Sequence, residues 1–592
     1  MMREEMLEAL RLRVLGLRDA GTGVWTGELS PSALGTALAV AVLVDGEDAR
    51  DVRRARLGAI WLVENINEDG GWGDAPGGGS NLSATLIARA ALVRFVRQRP
   101  GEIQSAEALE RSGRWIAGKA ESKDFPAVAK ALEGVYGDDR TFAAPILMFL
   151  AICTEEEGVW PLVPPLPFML ALLPQGAYRF LRMQVVSYAL PALIAVGLCR
   201  HVRAAAARRG WAWGRWWAGA LLRRLERVQP AHGGFLDAVP LTAFVCLALR
   251  EAGFGGHPVV EKGTAFIRKA VRGDHSWAID SNLRTWVTSL AARGLMSDTW
   301  GLAKSFYKGE RNQVAAWLVG AQMRKAHPYT GAQPGGWAWT DLPGGVPDAD
   351  DTSGALVALR MMREGGATTD LSRAARAGVR WLLGLQNADG GIPTFCRGWG
   401  RLPFDRSCAD ITAHALLAMA LWPGMAVGME QAMARMAAYL RGQQARDGSW
   451  CPLWFGHQEA AGGRNPVIGT ARVVDALVKA RAAGFGAPGV EEMVAAGTAW
   501  LLSRQRDDGA WGMGQAPTVE ETALAVVALG KGEGAAQDAA RRGRDWLCSQ
   551  GPEGLERPAP VGLYFALLWY HEKMYPLVWA LEALGKGADG GK

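Results

Sequence analysis

The sequence predicts an all-α protein whose helix–turn–helix repeats close into α/α barrels, and two observations carry that prediction. A seven-residue pattern, Q-x-x-D-G-x-W, runs from Gln444 to Trp450 and again from Gln505 to Trp511, with weaker copies at 66–72, 229–235 and 386–392. The copies adjoin stretches of helical hydrophobic period: 432–440 and 494–502 precede the two strong ones, and 519–529 follows the last. In the turn, Asp-Gly supplies a residue that tolerates positive φ, and the glutamine at the helix end can reach free backbone groups at the next helix. The tryptophan is then expected to stack on the glutamine amide as a clamp between helices. Such units cannot bury their apolar faces alone, so they stack or close on themselves.

Composition sets the class. At 592 residues the chain holds more than one domain, and 49% hydrophobic against 21% charged residues excludes wholesale disorder. Lys and Arg number 65 against 59 Asp and Glu, a net +6 that is too small for a nucleic-acid binder. Seven scattered cysteines with no CxxC pair suggest reduced thiols on the cytoplasmic side, and the charged N-terminus lacks a signal peptide. Uncharged stretches at 158–178 and 183–199 are interrupted by proline and are not read as membrane spans. Two apparent metal motifs fail. Asn65-x-Asn67-x-Asp69-Gly70 begins like a calcium loop but has Pro76 at the twelfth position, and His571-Glu572 meets Tyr575 where a zinc helix needs its second histidine.

The chemistry lies in Asp348, Asp350 and Asp351, three carboxylates within four residues, just before the apolar run 355–361. Like charges this close cannot all ionise cheaply when buried, so a proton is retained, and a retained proton in an apolar cavity is a general acid. A solvated helix start would also welcome these acids. Trp337 and Trp339 lie just upstream, and acid next to aromatic faces suits carbocation chemistry, where water would quench the cation and ring faces stabilise it.

These residues resemble those of the squalene–hopene cyclases, the class II triterpene cyclases of bacteria, over nearly the whole chain. The repeats match that family's QW motifs, and 348–352 matches its D-x-D-D-T-A signature up to Ser353, which replaces alanine. The resemblance implies two α/α barrels: a catalytic one over 281–592, joined by an N-terminal segment 1–24, and a second over 25–280. It implies Asp350 as proton donor, flanked by Asp348 and Asp351, with His414 as a cationic partner that orients and acidifies it and Asp410 in the same polar cluster. Trp339, Trp286, Trp337, Phe404 and Tyr564 are the implied substrate- and cation-facing aromatics. Sterol-forming relatives carry a cysteine after the catalytic aspartate; Asp351 here implies a non-epoxidised alkene, hence squalene or a related linear isoprenoid, cyclised to a hopanoid-like product without cofactor or metal. Val287, Leu568 and His571 depart from the family's aspartate and tyrosines.

The family is monotopic, and the sequence offers a contact region: the proline-broken apolar stretch containing Trp160, Phe168 and Leu172, then Trp213, Trp216 and Trp217 among arginines. This places the protein on the cytoplasmic face of a membrane, with lipid as a partner, no nucleic acid, and a homodimer left open. Two rival readings are a cyclase for a shorter or diphosphate-bearing prenyl chain, for which no DDxxD is present, and a non-catalytic barrel that binds lipid or protein. A relative of the protein prenyltransferase β-subunit would need an Asp/Cys/His zinc trio.

Overall fold

The computed structural model describes residues 3–122, 124–137, 140–182, 190–207, 214–297, 306, 308–328, 330–367, 370–400, 404–562 and 567–585. It is an all-α molecule with two large apolar cores and a small third cluster of Val346, Phe395 and Cys396. One gathers Ala33 through Trp277; the other gathers Met6, Leu10, Val14, Trp25 and Leu29 with residues from Ala278 to Leu584.

In the second core six inner helices form a closed ring. Arg284–Met296 packs on Ala349–Glu364, which packs on Ala409–Ala420, then Pro466–Ala482, Val519–Leu529 and Met574–Gly585, and the last returns to the first. Inner helices are enclosed on all sides and are apolar accordingly: every residue of Ala409–Ala420 is buried, including Asp410 and His414. Outer helices bury one stripe. Ser372–Leu385 turns Ala374, Ala375, Gly378, Val379, Trp381, Leu382 and Leu385 inward at three- and four-residue spacing. The N-terminal helix Arg3–Gly16 crosses to this barrel and packs on Met574–Gly585. The first core holds a smaller ring, in which Ala33–Leu43, Leu82–Gln98, Arg140–Thr154, Leu190–Ala207 and Val239–Glu251 succeed one another and close.

The repeat turns explain how outer helix passes to inner. Gly70, Gly233, Gly390, Gly448 and Gly509 all adopt φ between +88° and +95°. A Cβ at Gly448 would lie 2.5 Å from the Ala496 carbonyl, so the next outer helix approaches too closely for any side chain. The glutamine ties the turn to that helix: Gln444 Nε2 donates to the carbonyls of Gly448 and Met493 at 2.9 and 3.0 Å, and Gln505 Nε2 does the same to Gly509 and Ala539.

The tryptophan is held by two bonds that the sequence did not suggest. Its indole N–H donates to a carbonyl near the end of the preceding helix (Trp450 to Leu440, Trp511 to Leu501), and its backbone N–H donates to a threonine on the following inner helix (Thr470 and Thr522). The same double latch holds Trp25, Trp72, Trp277 and Trp337. Two of these repeats were illegible by spacing. At Trp277 the glycine position is His275, with φ 67°, and at Trp337 the glutamine, Gln322, stands thirteen residues before Gly335.

Candidate active site

Asp348 caps the inner helix Ala349–Glu364, its carboxyl accepting the Asp351 N–H at 2.8 Å, so the three acids occupy the first turn of a buried helix. That turn opens onto a cavity of about 350 Å³ between the two barrels. Leu34, Ile87, Tyr136 and Phe244 line it from the first barrel; Trp286, Trp339, Phe395, Phe404, Trp454, Tyr570 and Tyr575 line it from the second, with all three aspartates. The walls are aromatic and contiguous. Phe395 meets Trp339, Phe404 and Trp454 at centroid distances of 6.2, 5.7 and 5.6 Å. A two-residue ribbon, Ile392 paired with Cys408 and Pro393 with Ser407, closes the loop that presents Phe395 and Phe404.

Behind the acids lies a polar cluster. Asp350 Oδ1 shares a hydrogen bond with His414 Nδ1 at 2.6 Å and accepts from Arg472 Nη2 at 2.6 Å, and Oδ2 accepts from the same Nη2 at 2.8 Å. Arg472 Nη1 donates to Asp410 Oδ2 at 2.5 Å, the other oxygen of Asp410 accepts from Cys408 Sγ, and the guanidinium lies over the Phe455 ring. One cation therefore serves two carboxylates.

The electrostatics separate the three acids. Burial alone would raise Asp350, but Arg472 and His414 outweigh it and hold that carboxyl well below the usual range. Burial pushes Asp348 up to about 7. Burial, then the neighbouring Asp348 and Asp350, push Asp351 well above the ordinary carboxyl value. His414 is driven down by burial, and Arg472 adds to that against the pull of Asp350. Burial thus works against a charged imidazole at His414, the cation expected beside Asp350, while Arg472 brings a guanidinium to the same carboxyl. His414 Nε2 is buried and unpartnered among the described residues, and His414 lines a second hollow of about 40 Å³ with Arg293, Arg472, Asp475 and Glu582.

Of the residues expected at the site, Asp348, Asp350, Asp351, Trp286, Trp339 and Phe404 share the cavity wall, and His414 and Asp410 stand behind it. Trp337 does not join them. It is fully buried, its indole bonded to the Leu318 carbonyl, and it serves as a repeat latch rather than a cation-facing ring. Tyr564 lies outside the described residues; Leu568 lines the cavity. Arg472 was missed. Its signal was a polar stripe, Arg472, Asp475 and Lys479, at three- and four-residue spacing on an otherwise apolar inner helix.

The membrane residues also need correction. Trp160 is buried in the first barrel core with the Arg203 guanidinium 5.2 Å from its ring centre, and Phe168 and Leu172 are half-buried against that core, because the prolines fold this stretch back onto the barrel. Trp213 lies outside the described residues, as does the side chain of Trp216, while Trp217 is 40% exposed. Met169, within the expected stretch, is also 40% exposed, and further exposed apolar surface lies beyond it. Phe180, Leu181 and Trp399 are 87%, 46% and 61% exposed, and the Trp399 indole donates to the Leu181 carbonyl at 3.1 Å. Among the described residues no helix is long and apolar enough to cross a membrane, and no group of three His, Cys, Asp or Glu is arranged to hold a metal ion.

Paired α/α barrels with an acid cluster facing an aromatic cavity between them define the architecture of an acid-initiated terpene cyclase. The squalene–hopene cyclase C-terminal domain model matches residues 283–586, and the chain belongs to that family of class II terpene cyclases. It is 26% identical to the squalene–hopene cyclase of Alicyclobacillus acidocaldarius over 92% of this chain and 90% of that one. It is 30% identical to the Bradyrhizobium diazoefficiens squalene–hopene cyclase over 42% of this chain and 40% of that one. Against the enfumafungin synthase of Hormonema carpetanum the identity is 25% over 88% of this chain, which spans 43% of that relative's length. The fold is shared with ent-copalyl diphosphate synthase from Streptomyces platensis, with a TM-score of 0.60, 19% identity and 98% and 99% of the two chains covered.

Proposed function

We propose that this protein protonates a terminal alkene of a neutral linear isoprenoid, squalene or a close relative, and shapes the resulting cation into a polycyclic, hopanoid-like product. The carrying observation is the pairing of a carboxyl cluster with an aromatic-walled cavity whose described lining contains acids but no lysine or arginine. Protonation breaks an O–H bond of the cluster and makes a C–H bond from the alkene π pair, leaving a cation that the rings of Trp286, Trp339 and Phe404 face without quenching it. Ring closure follows because the wall holds the chain folded while water is kept out. Loss of a proton or capture of water ends the cascade.

The diphosphate-bearing alternative fits less well. A diphosphate needs cations or metal, whereas the described lining contributes Asp74, Asp280, Asp348, Asp350 and Asp351. A substrate this insoluble requires access from lipid, and Phe180, Leu181 and Trp399 supply a surface suited to a membrane interface. Detergent-solubilised protein offered squalene and geranylgeranyl diphosphate separately tests the reading. Cyclic neutral product from squalene alone supports it; conversion of the diphosphate alone would replace it with the alternative.

A further inference from the structure

One sulfur behind the cavity touches both halves of the site. Cys408 belongs to the two-residue ribbon, paired with Ile392, and its extended backbone starts the inner helix Ala409–Ala420. Strand pairing on one side and the helix on the other fix its position, and its side chain is buried. The Sγ donates to Asp410 Oδ1, two residues along the chain, and accepts the Leu453 N–H at 3.1 Å from a loop 45 residues away. Burial, then the Asp410 carboxyl, push the thiol well above its ordinary range, so the sulfur keeps the hydrogen that it donates.

Each bond leads to a different part of the site. With Oδ1 occupied by the thiol, Asp410 turns Oδ2 to Arg472 Nη1 at 2.5 Å, and Nη2 of the same guanidinium reaches both oxygens of Asp350. Leu453 precedes Trp454 and Phe455, which line the cavity. Trp454 packs on Phe395, and the Phe455 ring centre lies 5.2 Å from the Arg472 guanidinium carbon. Arg472 is therefore held from two directions that meet at Cys408, by the Asp410 carboxyl and by the Phe455 ring. An apolar side chain at this position would take a donor from Asp410 and an acceptor from Leu453 in a dry interior, where lost partners are costly.

We propose that Cys408 is a positioning residue for cyclisation, its thiol holding the Asp410–Arg472 arm behind Asp350 in register with the Trp454–Phe455 wall of the cavity. The described cavity lining does not include Cys408, so it acts through these neighbours and not on the substrate. This inference rests on the cyclase reading above and leaves Asp350 in the role that the resemblance implies.

The test compares Cys408→Ala with Cys408→Ser in the full chain. Both remove the volume of the sulfur, but serine keeps a group that donates and accepts, so the difference between them isolates the hydrogen bonds. Alanine should lower kcat for squalene by about ten- to a hundredfold with little change in KM and raise the share of incompletely cyclised product, and serine should restore most of the rate. A second readout needs no turnover. The infrared S–H stretch of Cys408, isolated as the difference from Cys408→Ser, should lie at the low frequency of a bonded thiol and move up in Asp410→Asn. Serine no more active than alanine, or an S–H stretch that Asp410→Asn does not move, would overturn the proposal. Should wild type convert no neutral isoprenoid, the cyclase reading fails, yet the S–H stretch still decides whether the thiol holds Asp410.

Discussion

Arg472 reaches both oxygens of Asp350 from an inner helix 122 residues further along the chain, at 2.6 and 2.8 Å. Two inner helices that flank Ala409–Ala420 in the ring are thereby linked by charge at the end of the cavity. Removing one partner of a buried pair leaves an uncompensated charge, which costs about 3–5 kcal/mol. Arg472→Met alone should therefore lower the thermal midpoint strongly, and adding Asp350→Asn should restore part of the loss. An additive double variant would show that the two residues are not coupled.

Much of the architecture was legible because the turn chemistry repeats. The repeat motif marked five turns, with His232 in place of the aspartate at one and Ile392 in place of the tryptophan at another, and all five glycines take the positive φ that the motif requires. The turns at Trp277 and Trp337 stayed hidden because histidine can occupy the glycine position and because a long insertion separates Gln322 from its glycine. Trp337 shows why the site was harder. Sequence places it two residues from Trp339, yet the Trp337 ring is buried in the core and bonded to the Leu318 carbonyl while the Trp339 ring lines the cavity, a split that simple strand alternation does not predict. Arg472 could not be linked to Asp350 by spacing, since they meet only through the packing of their two helices on either side of Ala409–Ala420.

The threonine latch has a measurable weight. Thr470→Val removes the acceptor for the buried Trp450 N–H, and an orphaned buried donor costs about 1–3 kcal/mol. A lowered thermal midpoint is expected, with the cavity chemistry unchanged. An unshifted midpoint would mean that the bond contributes nothing net.

Gly509 and Gly77 both have positive φ but differ in surroundings. A Cβ at Gly509 would come within 2.8 Å of the Arg542 carbonyl, whereas at Gly77 it meets open space. Gly509→Ala should cost clearly more stability than Gly77→Ala, which carries the backbone strain of about 1 kcal/mol alone. Equal midpoints for the two variants would refute the close approach between turn and helix.

Stability should fall as pH rises from about 4 to about 7. Burial raises Asp74, Asp348, Glu520 and Glu572 each to about 7, so over this interval the folded chain holds protons that the unfolded chain has released. Between its unfolded and folded values each group gives up to about 1.4 kcal/mol of stabilisation per pH unit, a stabilisation fully present below the unfolded value and lost as pH rises through the folded one. Thermal scans at pH 5.5 and 8 should show the lower midpoint at pH 8; the reverse order would show that these carboxyls are ionised in the fold.

The most direct measurement is cyclisation of squalene in deuterated water, followed by mass spectrometry of the neutral lipids. Initiation by a carboxyl that exchanges with solvent predicts a cyclic product carrying one carbon-bound deuterium, on the ring methylene next to the gem-dimethyl carbon of the first ring. A cyclic product with no deuterium, or no cyclic product at all, would contradict the account.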